Sequence, residues 1–408
     1  MRILWVKVGG LWPPNTGGRL RSFNLIKELS QRHRVTVLTT HGSGDDPEGL
    51  TRQLPACERI ISLPYQLPKV GSARFAASLM RSWFSAYPAD LWKCRVAPLA
   101  NEVKRRIDSG SVDVCIADFL AAAPNVPLGD GVPVLLFEHN VEHLIWQRMS
   151  EHERRPWRRF LLKIESAKMR RWEAEACRRA NLTLAVSEID RGLFEQIAPQ
   201  ARTAAVPTGV DTAYFTPDGA PTADHSLVFT GSLDWYPNED AIVYFLNEIL
   251  PAIRAAVPDT TFTIVGRNPT PRLRTACAKA PGVGLTGTVE DVRPYVRNGA
   301  VFVVPLRIGS GTRLKIFEAL SMAKAVVSTT VGAEGLTLTP GAHFLQADTP
   351  DEFARAVISL LRDPVRRDVL GQAARQLVET HYSWPQVSRQ FEAHCEALRG
   401  QVASEPKA

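Results

Sequence analysis

The sequence predicts an α/β protein made of two Rossmann-like domains, each a doubly wound parallel sheet. Three observations lead there. Short buried apolar runs alternate with amphipathic segments along the chain, the pattern of βα units. The alternation occurs twice, on either side of a segment punctuated by Pro and Gly, Val206-Pro207-Thr208-Gly209-Val210-Asp211. And 408 residues, 45% hydrophobic and 22% charged, suffice for two separate cores, which excludes one small module.

In the first series, strands are expected at Ile3–Val8, Arg34–Thr40, Val112–Ala117, Pro133–Phe137 and Leu182–Val186, with a helix at Phe23–Gln31. In the second they are expected at Leu227–Thr230, Thr261–Val265, Val283–Leu285, Val301–Pro305 and Ala325–Ser328, with helices at Ala241–Ala256, Leu314–Met322 and Asp351–Arg362. The reading places a first domain at 1–205, a hinge at 206–217 and a second domain at 218–383, followed by a helix near Gln386–Leu398. In open parallel sheets ligands bind outside the carboxyl ends of the strands, so a site is expected in the crevice where two such domains face each other.

Six cysteines are scattered without a C-x-x-C pair or zinc spacing and read as reduced thiols. The opening Met1-Arg2-Ile3-Leu4-Trp5-Val6-Lys7-Val8 is too short and too charged for a signal peptide, and no apolar run reaches membrane-spanning length. A cytoplasmic location is expected. The net charge is +7, and cations concentrate between Arg148 and Arg179, among them Arg154, Arg155, Arg158, Arg159 and Lys163, interleaved with Trp157, Phe160 and Trp172. Two readings fit this segment. It forms basic amphipathic helices lying on an anionic membrane at its inner face, or solvated helices whose cations pair with Glu151, Glu153, Glu165, Glu173 and Glu175. No motif supports a nucleic-acid partner.

The most chemically informative stretch is Gly309-Ser310-Gly311-Thr312-Arg313-Leu314-Lys315-Ile316-Phe317-Glu318. It places a glycine turn and two cations between a buried strand run and the mouth of a helix, where free N–H groups and the helix dipole favour phosphate. Cations at a helix N-terminus oppose that dipole, so Arg313 and Lys315 call for an anion. Glu318, further along the helix, is suited to accept hydrogen bonds from the vicinal hydroxyls of a ribose. The stretch reads as a nucleoside-diphosphate site. Two further loops remain open between structural and functional readings. Gly9 to Arg19, containing Gly17 and Gly18, fits a tight turn or a ligand loop; it matches neither the dinucleotide fingerprint nor a Walker pattern. His139, after the strand Pro133–Phe137, fits a buried structural histidine or a group aimed at a ligand, with Glu142 and His143 as neighbours of the same kind.

These motifs resemble those of the retaining GT-B glycosyltransferases of the group 1 type, which use nucleotide-sugar donors. Many members carry a Glu-x₇-Glu motif; here Glu318 stands at the second position and Ser310 at the first. Val206–Asp211 is similar to the family's Pro-Asn-Gly-Val-Asp, with Thr208 for Asn. The resemblance implies a GT-B fold whose last helix, within 384–400, crosses back onto the first domain. It implies a donor site formed by Ser310, Gly311, Thr312, Leu314 and Glu318, with Gly231 and Arg267 at neighbouring strand ends and Thr288 and Val289 reading the base. From the other domain, Gly17 and Gly18 would approach the diphosphate and His139 the sugar, while Arg19 and Arg21 carry no firm assignment. The family's usual Arg/Lys pair is missing from Thr230-Gly231-Ser232-Leu233-Asp234-Trp235-Tyr236-Pro237-Asn238. Arg313 and Lys315 are therefore assigned to the leaving phosphates, with Arg267 as a third cation. No Asp-x-Asp clamp is present and no metal or other cofactor is expected. The implied reaction moves a sugar to a glycan or lipid-linked acceptor, as in exopolysaccharide or cell-envelope assembly. The alternatives are a sugar-nucleotide epimerase on the same architecture and a non-catalytic, membrane-associated binding protein.

Overall fold

The structure is a computed structural model and describes residues 1–68, 72–129, 131–153, 155–217, 219, 222–308 and 314–404. It divides into two compact units, Met1–Pro207 together with Val387–Ala408, and Thr208–Gln386.

The first unit is built on seven parallel strands: β1 (Arg2–Lys7), β2 (Arg34–His41), β3 (Arg59–Pro64), β4 (Val114–Asp118), β5 (Val134–Phe137), β6 (Leu182–Ala185) and β7 (Thr203–Ala205), in the order β3-β2-β1-β4-β5-β6-β7. β4, β5 and β6 are buried along their whole length, which is why they read as unbroken apolar runs. β3 and β7 were not expected. They lie at the two edges of the sheet, half exposed, so their sequences are mixed and carry no apolar run. The order reverses direction between β1 and β4, and the carboxyl ends of these strands and of β5 are where a ligand site belongs. The first helix spans Gly17–Ser30, six residues longer at its start than expected, because Thr16 caps it by accepting from the Arg19 amide. Gly17 and Gly18 therefore form a helical first turn. The helix Trp384–Ser404 outruns its expected length, and its Phe391 ring stacks on Trp5 of β1 at 5.7 Å while Glu392 accepts from Arg32 and His33.

The second unit carries β8 (Ala223–Thr230), β9 (Thr261–Val265), β10 (Val283–Leu285), β11 (Gly299–Val304), β12 (Ala325–Ser328) and β13 (Leu345–Gln346), in the order β10-β9-β8-β11-β12-β13, again parallel. The fold class is as the sequence predicts, two parallel α/β sheets of seven and six strands. The expected helix Ala241–Ala256 is instead three pieces, Tyr236–Tyr244, a π turn at Phe245–Ile249 and Leu250–Ala256. Pro251 accounts for the break, since it has no N–H to donate back and its ring crowds the preceding turn.

Candidate functional site

In the second unit the site is assembled where β8 and β9 run out. Their loops stay zipped past the sheet: Gly231 donates its amide to Val265 and Leu233 donates to Arg267. A Cβ on Gly266 would lie 1.8 Å from the Gly231 carbonyl oxygen, so this approach tolerates glycine alone. Two cations are laid along that loop by polar side chains. Arg267 donates its Nε to Ser232 Oγ at 2.9 Å, and Ser232 in turn donates to Asp234. Lys315, from the start of the helix Leu314–Ser321, donates to Asn238 Oδ1 at 2.9 Å and stands 3.9 Å from the centre of the Phe229 ring. Asn238 is oriented by its own amide, which donates to the Ser232 carbonyl at 2.8 Å, so its oxygen must face the ammonium. A Cβ at Gly231 would fall 2.7 Å from Lys315 Nζ. The loop that lacks a cation in its own sequence thus receives one from a helix 77 positions away.

Glu318 sits one turn beyond Lys315, half-buried. Burial raises its carboxyl to about 7, with Lys315 pulling the other way, and no described residue hydrogen-bonds it. Such a carboxylate is poised to accept from a ligand's hydroxyls. Ser310, Gly311, Thr312 and Arg313 lie outside the described residues. Leu314 opens the helix. Thr288 is exposed and Val289 is half-buried against the core of this unit, both following β10 at the far side of β9 from Lys315.

In the first unit the carboxyl ends of β1, β4 and β5 hold a buried polar network centred on Asp118. One oxygen accepts from Trp5 Nε1 at 2.9 Å and Lys7 Nζ at 3.0 Å, the other from His139 Nε2 at 2.8 Å. Arg21, also buried, donates to His139 Nδ1 at 2.9 Å. An arginine can only donate, so Nδ1 is unprotonated and the proton is on Nε2, toward Asp118. Burial pushes the His139 pKa down to about 3 despite Asp118. Burial opposes the Asp118 charge, yet Lys7 and His139 hold its carboxyl well below the usual range. His139 is therefore a neutral, doubly engaged histidine, 3% exposed, with both ring nitrogens held by protein groups. Phe119 covers it, stacked at 3.7 Å with its backbone at φ 70°, and Gly18 is fitted to that ring: a Cβ there would come 2.3 Å from Phe119 Cζ. Arg19 is paired with Asp45 at 2.7 Å. His143 and the amides of Glu142 and His143 converge on buried Glu173, while Glu142 is raised to about 7 by burial and by Glu173. Glu173 is thus an internal anchor, and buried Glu165 accepts from the Ala89 amide while its other oxygen lies 3.9 Å from Lys168 of the same helix.

The sequence reading missed Asp118, Lys7, Ser232 and Asn238 as site groups. The first two had a visible signal, a charged residue closing a buried strand run; Asn238 and Ser232 had none, being ordinary turn residues until Lys315 and Arg267 are brought to them.

Residues 17–214 match the Glycosyltransferase Family 4 domain and residues 224–363 match the Glycosyl transferases group 1 domain. The chain belongs to the GT-B glycosyltransferases. Among relatives of this glycosyltransferase is a GDP-mannose-dependent monoacylated alpha-(1-6)-phosphatidylinositol monomannoside mannosyltransferase from Corynebacterium glutamicum, 26% identical over 225 residues, 50% of this chain and 56% of that protein. A GDP-mannose-dependent alpha-(1-6)-phosphatidylinositol monomannoside mannosyltransferase from Mycobacterium tuberculosis is 27% identical over 54% of this chain and 62% of its own length. The chain therefore spans little more than half the length of these mannosyltransferases. A 44.6 kDa protein in the cps region of Klebsiella pneumoniae is 22% identical over 88% of this chain and 90% of its own. Among solved structures, sucrose-phosphate synthase from Thermosynechococcus elongatus superposes with a TM-score of 0.69 at 16% identity, covering 98% of this chain and 100% of that one. HepE from Anabaena in complex with UDP gives 0.67 at 14% identity, covering 97% and 100%. These likenesses establish the shared fold.

Proposed function

We propose that this GT-B glycosyltransferase is a retaining enzyme that moves a sugar from a nucleoside-diphosphate donor to a hydroxyl of a lipid-linked glycan, in the assembly of an exopolysaccharide or cell-envelope polymer. The observation that carries the donor half is the Lys315 ammonium fixed over Gly231 by Asn238, with the Glu318 carboxylate one turn further along the same helix. A diphosphate at the end of β8 would meet the ammonium and the Arg267 guanidinium, and its ribose would meet Glu318. The acceptor class is supported by relatives whose names specify phosphatidylinositol monomannoside acceptors and by one from a cps region.

In the reaction the bond from the anomeric carbon to the diphosphate oxygen breaks as the acceptor oxygen bonds to the same face of that carbon. The acceptor proton passes to the departing phosphate. No enzyme nucleophile is required, and His139 is a positioning residue that holds Arg21 rather than a proton carrier. Charge on the leaving group is met by Lys315 and Arg267 without a metal, so a chelator should change turnover little. The test is a panel of nucleotide sugars incubated with and without lipid extract, with the anomeric configuration of the product read by NMR. Acceptor-dependent release of nucleotide with retained configuration is expected. Inversion overturns the retaining mechanism, lipid-independent conversion of the donor indicates the epimerase, and binding without turnover indicates the non-catalytic protein.

A further inference from the structure

The helices Glu142–His152 and Pro156–Arg179 form an antiparallel hairpin with a three-residue connection. Its inner part is anchored: Met169 is buried in the core, Glu165 accepts the Ala89 amide, and Lys168 donates to the Ser82 carbonyl at 2.8 Å, which ties the end of the helix Ala73–Trp83 to the hairpin. The first turns of Pro156–Arg179 have no such anchoring. Every residue from Arg155 to Phe160 is exposed.

Helices on a folded surface turn their apolar stripe inward, and here three stripes face out. Trp157, Phe160 and Ile164 fall at i, i+3, i+7, with Trp157 and Phe160 each 63% exposed. Ile145 and Met149, at i, i+4 on the other arm, are exposed at the same heights as Ile164 and Phe160 given the short connection. Met80, Trp83 and Phe84 repeat the pattern at the end of Ala73–Trp83, where Phe84 is 93% exposed. Among these rings stand the exposed cations Arg155, Arg158, Arg159 and Lys163, and from 155 to 164 the sequence contains no carboxylate. The acids flanking this stretch are buried Glu165 and Glu153, which accepts from the Arg155 amide and lies 3.5 Å from Arg158.

We infer that the hairpin tip and the end of Ala73–Trp83 dock this protein onto a bilayer surface containing anionic phospholipid. The exposed rings lie on or at the ends of helices, which offer no strand edge to a peptide. Indole and phenyl rings interleaved with guanidinium groups match the boundary between acyl chains and phosphates, rings entering the first and cations meeting the second. The contact is in the membrane plane, because no helix among the described residues is long and apolar enough to cross. Sugar transfer is not a premise of this inference: the surface lies in the first unit, and the nucleotide groups Lys315 and Glu318 lie in the second.

The test is co-sedimentation of the full chain with vesicles of equal parts phosphatidylcholine and phosphatidylglycerol, against phosphatidylcholine alone. Binding to the anionic vesicles should be at least about tenfold tighter and should weaken with salt. Trp157→Ser with Phe160→Ser, and separately Arg155→Gln, Arg158→Gln, Arg159→Gln and Lys163→Gln together, should each weaken it by about tenfold or more. These side chains are exposed, so unfolding temperature and nucleoside-diphosphate affinity should be unchanged, which separates loss of docking from loss of the donor site. Equal binding by both variants overturns the proposal, as does equal binding to both vesicle types. So does a wild-type dimer in sedimentation equilibrium that the aromatic variant dissolves, since the occupant would then be a second copy.

Discussion

At the scale of single residues, the cations beside the loop after β8 come from outside that loop. Asn238 holds Lys315, and Ser232 holds Arg267. Lys315→Ala should lower turnover by about ten- to a thousandfold, the range for losing one preorganised contact to a leaving group. Asn238→Lys on that background, which returns a cation to the loop after β8, should recover part of the loss; absence of both loss and recovery in steady-state kinetics would remove Lys315 from the chemistry. Glu318→Gln should cost about 1.5–3 kcal/mol in binding a ribonucleotide and almost nothing for its 2′,3′-dideoxy analogue, read by calorimetry. Because burial raises Glu318 to about 7, the ribonucleotide should bind more tightly as pH rises across about 6–8, with a flat profile in the Gln variant. Of these groups, Lys315 and Glu318 were legible from helix position and charge alone. Asn238 was not, since its role exists only once residues 77 apart in the chain meet.

At the scale of elements, the helix Leu314–Ser321 that presents both groups is fixed from behind. It ends in a tight reversal with Ala323 at φ 54°, and the helix Pro364–His381 crosses so close that a Cβ on Gly371 would lie 2.0 Å from the Ala323 carbonyl oxygen. Backbone cannot yield there as a side chain would. Gly371→Ala should therefore destabilise the protein by about 1–3 kcal/mol or more in urea unfolding, and should also weaken nucleoside-diphosphate binding by displacing Lys315 and Glu318. A variant with normal stability would mean the crossing can open. The elements most legible in sequence were the central strands, whose burial on both faces writes itself as runs such as Val134–Phe137. Edge strands β3, β7 and β13 were not, because a half-exposed strand of two to six residues has no composition of its own. The start of Gly17–Ser30 was hidden by its two glycines, poor helix formers that a Thr16 cap and the Phe119 ring nevertheless hold in the first turn.

At the scale of the whole molecule, the two units should respond to pH in opposite senses through these groups. His139 titrates at about 3 in the folded chain and near 6.5 when unfolded, so below about 6.5 the unfolded chain takes a proton the native one refuses. Stability from this site is complete above about 6.5 and is lost as pH falls toward 3, at up to about 1.4 kcal/mol per pH unit. Glu318 has the opposite sign: its raised pKa means the folded chain holds a proton longer, so stability declines as pH rises from about 4.5 to 7. Thermal unfolding of His139→Gln should lose the acid slope, and of Glu318→Gln the other; unchanged slopes in both would show that neither buried group governs them. The twofold α/β plan was visible in the repeated alternation of apolar runs, while the Asp118 network that fills the first unit's strand ends needed three strands in register to appear. One consequence belongs to biosynthesis. Trp5 of β1 is covered by Phe391, and all of Thr208–Gln386 must be made before that ring exists. At about 5–20 residues per second, the intervening unit takes roughly 10–35 s to emerge, and being contiguous it can close first. Through that interval the ribosome-tethered first sheet lacks the ring that stacks on the Trp5 indole, a window in which a holdase chaperone would find it.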